Sequence, residues 1–149
     1  MSIKISLKKN ISEKNIKNYV LFADENFKIN GLSRLSLNKQ SSLLNKAIIS
    51  NKLHTKTFLQ FNLNPSQKII LIRLNKNQSS VDNEKKGAEF YKYIKENNIF
   101  NQTFFENNIK DTFPKNKFFI DEFLHGIQLK SYEFEKYKTK KTEKIFDIK

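Results

Sequence analysis

The stretch Lys68-Ile69-Ile70-Leu71-Ile72-Arg73-Leu74 carries five aliphatic side chains in seven positions, without the alternation of a strand that keeps one face wet. At strand length, such a run is buried on both faces. Tyr19-Val20-Leu21-Phe22-Ala23, bounded by Asn18 and Asp24, is a second run of this kind. Strands like these cannot belong to a sheet with an open face, so the chain must cover them above and below with its own helices. Lys68–Leu74 is the expected central strand.

The rest of the chain supplies that cover. Ile3, Ile5 and Leu7 alternate with Lys4, Ser6 and Lys8, the period of a half-buried first strand. From Ser36, suited as an N-cap, Leu37, Leu44, Ala47 and Ile48 recur at helical spacing, Leu43 widens the stripe, and Asn51 to His54 closes it. Thr57 to Phe61 is strand-like, and Asn64-Pro65-Ser66 is a turn. Ser80 caps the next helix with Asp82 in its first turn; Val81, Ala88, Tyr91 and Ile94 line one face, Phe90 flanks it, and Asn97-Asn98 ends it. Thr103-Phe104-Phe105 is a short strand. Asp111-Thr112-Phe113-Pro114 punctuates, with Pro114 preset for a first helical turn. A long amphipathic helix follows from Phe118 to Lys138, with Phe119 or Ile120, Phe123, Ile127 and Phe134 on one stripe, and leads into the basic tail Thr139-Lys140-Lys141. Lys144 to Lys149 alternates as the start of another strand. Long helices alternating with short buried strands predict a mixed α/β sheet flanked by helices. The expected organisation is one α/β domain over residues 1–138, with 139–149 a linker and the start of a truncated following domain.

Charge and composition narrow the function. The chain has 28 Lys and Arg against 15 Asp and Glu, a net charge of +13. Such a field attracts nucleic acid or anionic lipid. The cations are nearly all Lys, however, Arg34 and Arg73 being the only arginines, and they are spread along the chain among many Asn and Ile. Bidentate readout of phosphate and base edges favours Arg. A solvated basic surface is therefore the first reading, and a small basic α/β module that binds nucleic acid is the alternative. There is no Cys, hence no disulfide framework, thiol nucleophile or Cys-ligated metal. No apolar run reaches transmembrane length and the N-terminus lacks the apolar core of a signal peptide, so the expected setting is the cytoplasm, away from membranes.

No set of residues suggests chemistry. There is no G-x-S-x-G elbow, and His54 and His125 have no evident Ser partner. Asp121 and His125, four apart on a helix, read as a surface pair, because two ligands are too few for a metal. Gly31, Gly87 and Gly126 are isolated, so neither a P-loop nor a dinucleotide fingerprint is present. Gly87 and Gly126 fall inside predicted helices, where glycine costs about 1 kcal/mol relative to alanine. Their presence points to close helix packing. Tyr132, Phe134 and Tyr137 read first as a packing face and second as a platform for stacked bases.

The run Gly126-Ile127-Gln128-Leu129-Lys130-Ser131-Tyr132-Glu133-Phe134-Glu135-Lys136-Tyr137-Lys138, followed by Thr139-Lys140-Lys141, resembles the end of the N-terminal domain of leucyl aminopeptidases, the cytosol aminopeptidases. In that family a helix carries a small residue, then Y-x-F-x-x-Y-K, then a basic stretch into the catalytic domain. Two further echoes occur in the same order. Lys68 to Lys76 is similar to an apolar strand ending in an L-G-K turn, here Leu74-Asn75-Lys76 without the glycine. Lys85-Lys86-Gly87-Ala88 is similar to the helix after it, which often carries a Gly-Ala pair. The family's N-T-D-A-E-G-R-L metal run is absent, so no catalytic or metal residue carries over. The resemblance implies a macro-domain-like α/β fold, a partner catalytic domain with two divalent metals, Mn or Zn, and a homo-oligomer, a hexamer in the family. It implies no cofactor in this chain, and a connector role for Gly126, Tyr132, Phe134, Tyr137 and Lys138. Macro domains proper bind ADP-ribose through Gly-rich loops, which this chain lacks.

Overall fold

The computed structural model of the chain describes residues 3–9, 11–31, 44, 46, 56–75, 77–135 and 144–148. Six strands form one sheet in the order β1-β6-β5-β2-β4-β3. They are β1 (Ile3–Leu7), β2 (Asn18–Ala23), β3 (Phe58–Asn64), β4 (Gln67–Arg73), β5 (Gln102–Phe104) and β6 (Lys144–Ile148). All pairings are parallel except the β3–β4 hairpin. Its tight turn at Pro65-Ser66 is held by Asn64 Oδ1, which accepts from the Ser66 N–H at 3.0 Å. Besides a 3-10 turn at Glu13–Asn15, the α-helices with described bounds are α1 (Ser80–Glu96), α2 (Glu106–Thr112) and α3 (Phe119–Glu135). This is the mixed α/β architecture expected from the sequence. The helix expected from Ser36 lies outside the described residues, except for Leu44 and Lys46, which are helical.

The continuous apolar runs behave as burial on both faces requires. Every residue of β2 is buried. Val20, Phe22, Ile70, Ile72 and Phe104 point to one face and meet Phe90, Tyr91 and Ile94 of α1 with Phe119, Phe123 and Ile127 of α3. Tyr19, Leu21, Ile69 and Leu71 point to the other face, where they meet Ile16, Leu44, Leu59 and Phe105. The alternation along each strand thus serves two cores. Lys68–Leu74 supplies β4, an interior strand, but the middle of the sheet is β5 and β2.

Four expectations change. Ser79, one residue before Ser80, is the N-cap of α1, its Oγ accepting from the Asp82 N–H at 3.2 Å. Val81 lies outside the buried stripe and is 59% exposed. Pro114 does not open a helix: it sits second in a turn closed by Asn116 N–H to Phe113 O at 3.2 Å, the place a fixed φ favours, and α3 begins only at Phe119. Residues 144–148, read from the sequence as the start of a following domain, form β6 inside this sheet. β6 pairs with β1 on one side and β5 on the other, and Ser6 Oγ donates to Asp147 Oδ1 at 2.6 Å across the pair.

Candidate functional site

An open α/β sheet offers a crevice at the carboxyl ends of its strands where the connections leave in opposite directions. Here that place lies between β2 and β5. From β2 the chain goes on to β3 and β4 on one side, and from β5 it goes to β6 on the other.

Among the described residues, one side chain of the chain itself stands in this crevice. β5 pairs with β2 only as far as Phe104 opposite Val20, while β2 runs on to Ala23. On its β5 side the backbone of Phe22 therefore has no strand beside it, while its other side is against Ile72 of β4. The side chain of Asn108, on α2, stands there instead. Its Oδ1 accepts from the Phe22 N–H at 2.7 Å and its Nδ2 donates to Phe22 O at 3.1 Å, as a next strand residue would. The same Nδ2 reaches Asn30 O at 2.8 Å and so ties down the loop after β2. Gly31 lets that loop come close: its φ is +80°, and a Cβ there would lie 3.1 Å from the Asn108 backbone. Below this amide the Phe22 ring packs edge-on against Phe113, Phe119 and Phe123.

Asp24, just after β2, is a buried carboxylate. Its Oδ1 accepts from the N–H groups of Asn26 and Lys28, each at 2.9 Å, and shapes the turn. Phe27, at φ +61°, completes the turn under the Arg73 guanidinium, 4.8 Å from the ring centroid. No group of three His, Cys, Asp or Glu that could hold a metal occurs among the described residues. His125 does not pair with Asp121. Its Nδ1 lies 2.9 Å from Glu84 Oε1, across to α1, because α3 docks on α1 along that ridge.

The α1–α3 contact is built on the two glycines. A Cβ on Gly126 would lie 1.9 Å from Glu84 O, and one on Gly87 would lie 1.9 Å from Phe123 O. Each glycine thus faces the carbonyl three residues before the other glycine. Beside this crossing, Asn83 Nδ2 donates to Glu122 Oε2 at 2.7 Å. That bond, helped by Ser80 and Asn116, holds the Glu122 carboxyl below the usual carboxylate range.

Of the five proposed connector residues, Gly126 packs inside the domain. Tyr132 is 67% exposed, and Leu129, one turn earlier, is 49% exposed. Phe118, in the turn just before the helix, is 67% exposed as well. Phe134 lies in the last turn of α3, and Tyr137 and Lys138 lie outside the described residues. Sequence reasoning missed Asn108 and α2 altogether. It also missed a groove of about 1030 Å³ beyond the crevice, where the chain leaving β1 meets β6, α2 and the start of α3.

No protein-family model matches the chain, and no curated protein matches it. Solved structures do. A tomato leucine aminopeptidase mutant is similar over 99% of this chain with a TM-score of 0.64 and 18% identity. The chain spans 32% of that aminopeptidase chain. The macrodomain of Mycobacterium tuberculosis DarG is similar at a TM-score of 0.58 and 10% identity, over 97% of each chain. The macrodomain of Thermus aquaticus DarG is similar at 0.59 and 8%, over 99% of this chain and 98% of that one. At these identities the likeness establishes the fold, a macro-domain-like α/β sheet.

Proposed function

We propose that the chain is the non-catalytic α/β module of a leucyl-aminopeptidase-like metallopeptidase. It acts in the cytoplasm by packing against a separate catalytic domain and by supporting a homo-oligomer, a hexamer in that family. The parent activity is release of N-terminal amino acids from peptides, with two divalent metals, Mn or Zn, held by the catalytic domain.

Asn108 at the switch point carries this reading. A sheet of this type places ligands there, and here the Asn108 amide spends its bonds on Phe22 and Asn30 of the same domain. Two further features support it. The likeness to a leucine aminopeptidase runs over nearly the whole chain but only 32% of that protein, the relation expected of one module in a larger enzyme. Leu129 and Tyr132 of α3, with Phe118 just before it, expose apolar side chains, and exposed apolar surface on a folded domain suits contact with a neighbour. In this reading Gly126 seats α3 on α1, Tyr132 and Phe134 meet the neighbour, and Tyr137 and Lys138 lead on towards it.

The experiment mixes the purified chain with a di-metal leucyl aminopeptidase catalytic domain from the same cell and follows them by size-exclusion chromatography with light scattering. The expected result is a co-eluting assembly, weakened by Tyr132→Ala with Phe134→Ala, in which limited proteolysis cuts the α3 region faster. Independent elution of the two proteins, or an assembly unaffected by the double substitution, overturns the proposal.

A further inference from the structure

We propose that the groove at the carboxyl ends of β1 and β6 binds a monomeric aliphatic carboxylate, a molecule with an apolar tail and one anionic head. Its volume, about 1030 Å³, is that of a large small-molecule site. Neither Asn108 nor Phe22 is among its described lining residues, so it is distinct from the switch-point crevice. The floor is aliphatic: Ile109 from α2, Ile120 from α3 and Ile148 from β6, joined by Phe113. Ile120 and Ile148 are only half-buried, so part of their apolar surface faces the open volume. Burial of a hydrocarbon tail there is favourable.

The rim supplies the opposite chemistry. Among the described residues, four lysines line the groove, Lys8, Lys9, Lys110 and Lys117, against two carboxylates, Glu106 and Asp121. Lys110 is paired with Glu106 at 2.5 Å and Lys8 with Asp147 at 3.3 Å. Lys9 and Lys117 make no ion pair with a described residue. The 17-residue α3 also turns its amino end towards the groove, with Ile120 and Asp121 of its first turn in the lining, and that end of a helix favours an anion. Asp121 on the same rim disfavours a polyanion. Phosphate-bearing ligands are poorly served, because the described lining residues include no arginine fork and no glycine for close backbone approach. The buried Phe113 offers no open ring face to a base.

This inference stands apart from the peptidase reading, so failure here leaves the assembly proposal intact, and the reverse. The test titrates the full chain with sodium decanoate by calorimetry and maps backbone amide shifts by NMR. Decanol and decyltrimethylammonium separate head from tail, AMP and inorganic phosphate probe for anion binding without a tail, and phosphatidylglycerol vesicles probe for a lipid surface. The expected result is one decanoate per chain, with shifts gathered at residues 109, 113, 120 and 148. Affinity falls about tenfold in Lys9→Glu with Lys117→Glu, two exposed ion pairs worth a few-fold each. Decanol binds more weakly by a similar factor, decyltrimethylammonium does not bind, and Ile120→Glu abolishes binding. The double charge reversal changes exposed positions only and so remains informative if Ile120→Glu unfolds. Equal affinity for decanol, tighter binding of AMP or phosphate, binding to vesicles alone, shifts elsewhere, or no loss in the charge-reversed variant would each overturn the proposal.

Discussion

Gly126→Ala puts the α1–α3 contact under direct strain. In an ordinary exposed helix the change is stabilising by about 1 kcal/mol, because glycine gives up more backbone freedom. Here the new methyl would lie 1.9 Å from Glu84 O, 2.7 Å from Glu84 C and 2.9 Å from Glu84 Cα. All three are backbone atoms of a helix and cannot rotate away as a side-chain tip could. To move from 1.9 Å to the 3.4 Å at which ordinary contact begins, the helices must part locally by about 1.5 Å. That opening loosens the Phe90–Phe123 ring contact, now 5.6 Å between centroids, and pulls on the Asn83–Glu122 bond. Overpacking of a rigid core costs about 1–3 kcal/mol. With no soft neighbour, the cost falls at the upper end, and the helix-propensity gain leaves a net loss of about 2 kcal/mol. For a chain of this size, that lowers Tm by about 4–8 °C. Gly87→Ala meets Phe123 O at the same 1.9 Å and should cost the same. The double variant should cost much less than the sum, because one opening relieves both clashes. Urea denaturation with an unchanged m-value is the assay. A Gly126→Ala protein as stable as the parent, or two fully additive losses, would refute the close-packing account.

Asn108→Ala removes the partners of Phe22 N–H and Asn30 O and leaves Phe22 O to Thr112 Oγ1 at 3.5 Å; it should cost about 3 kcal/mol in urea denaturation, since unpaired buried groups cost about 1–3 kcal/mol each. Glu122 is held below its usual value of 4.5, chiefly by Asn83. Its contribution is therefore present above about pH 4.5 and lost as pH falls through the depressed folded value. Asn83→Ala should flatten the stability-versus-pH curve in that acid range, and an identical slope in the variant would count against the assignment. In filter binding, any association with DNA or RNA at low ionic strength should collapse with modest added salt, as non-specific phosphate contacts do. Tight binding that survives salt would favour the nucleic-acid reading.

What the sequence revealed depended on whether the cause was local. Tyr19–Ala23 and Lys68–Leu74 announced burial on both faces because composition alone decides that. Gly87 and Gly126 announced close packing because a glycine within a helix needs an offsetting contact, although their mutual pairing was visible only in the fold. α2 was not legible. Glu106-Asn107-Asn108-Ile109 has one apolar residue and two poor helix formers, and what supports the segment is the long-range bond from Asn108 to Phe22. β6 read as a strand but not as part of this sheet, because parallel pairing with β1 and β5 joins distant segments and leaves no local mark. The groove was equally hidden, since Lys9, Ile109, Lys117 and Ile148 meet only when four elements converge.

The most direct test of the central claim is the native mass and activity of the chain as its own cell holds it. An affinity-tagged copy, purified gently and separated by size, should elute well above its own 17.7 kDa. The same fractions should release N-terminal leucine in a Mn- or Zn-dependent way, and Tyr132→Ala with Phe134→Ala should shift the chain out of them. A tagged chain that elutes at its own mass, with aminopeptidase activity in other fractions, would contradict the account.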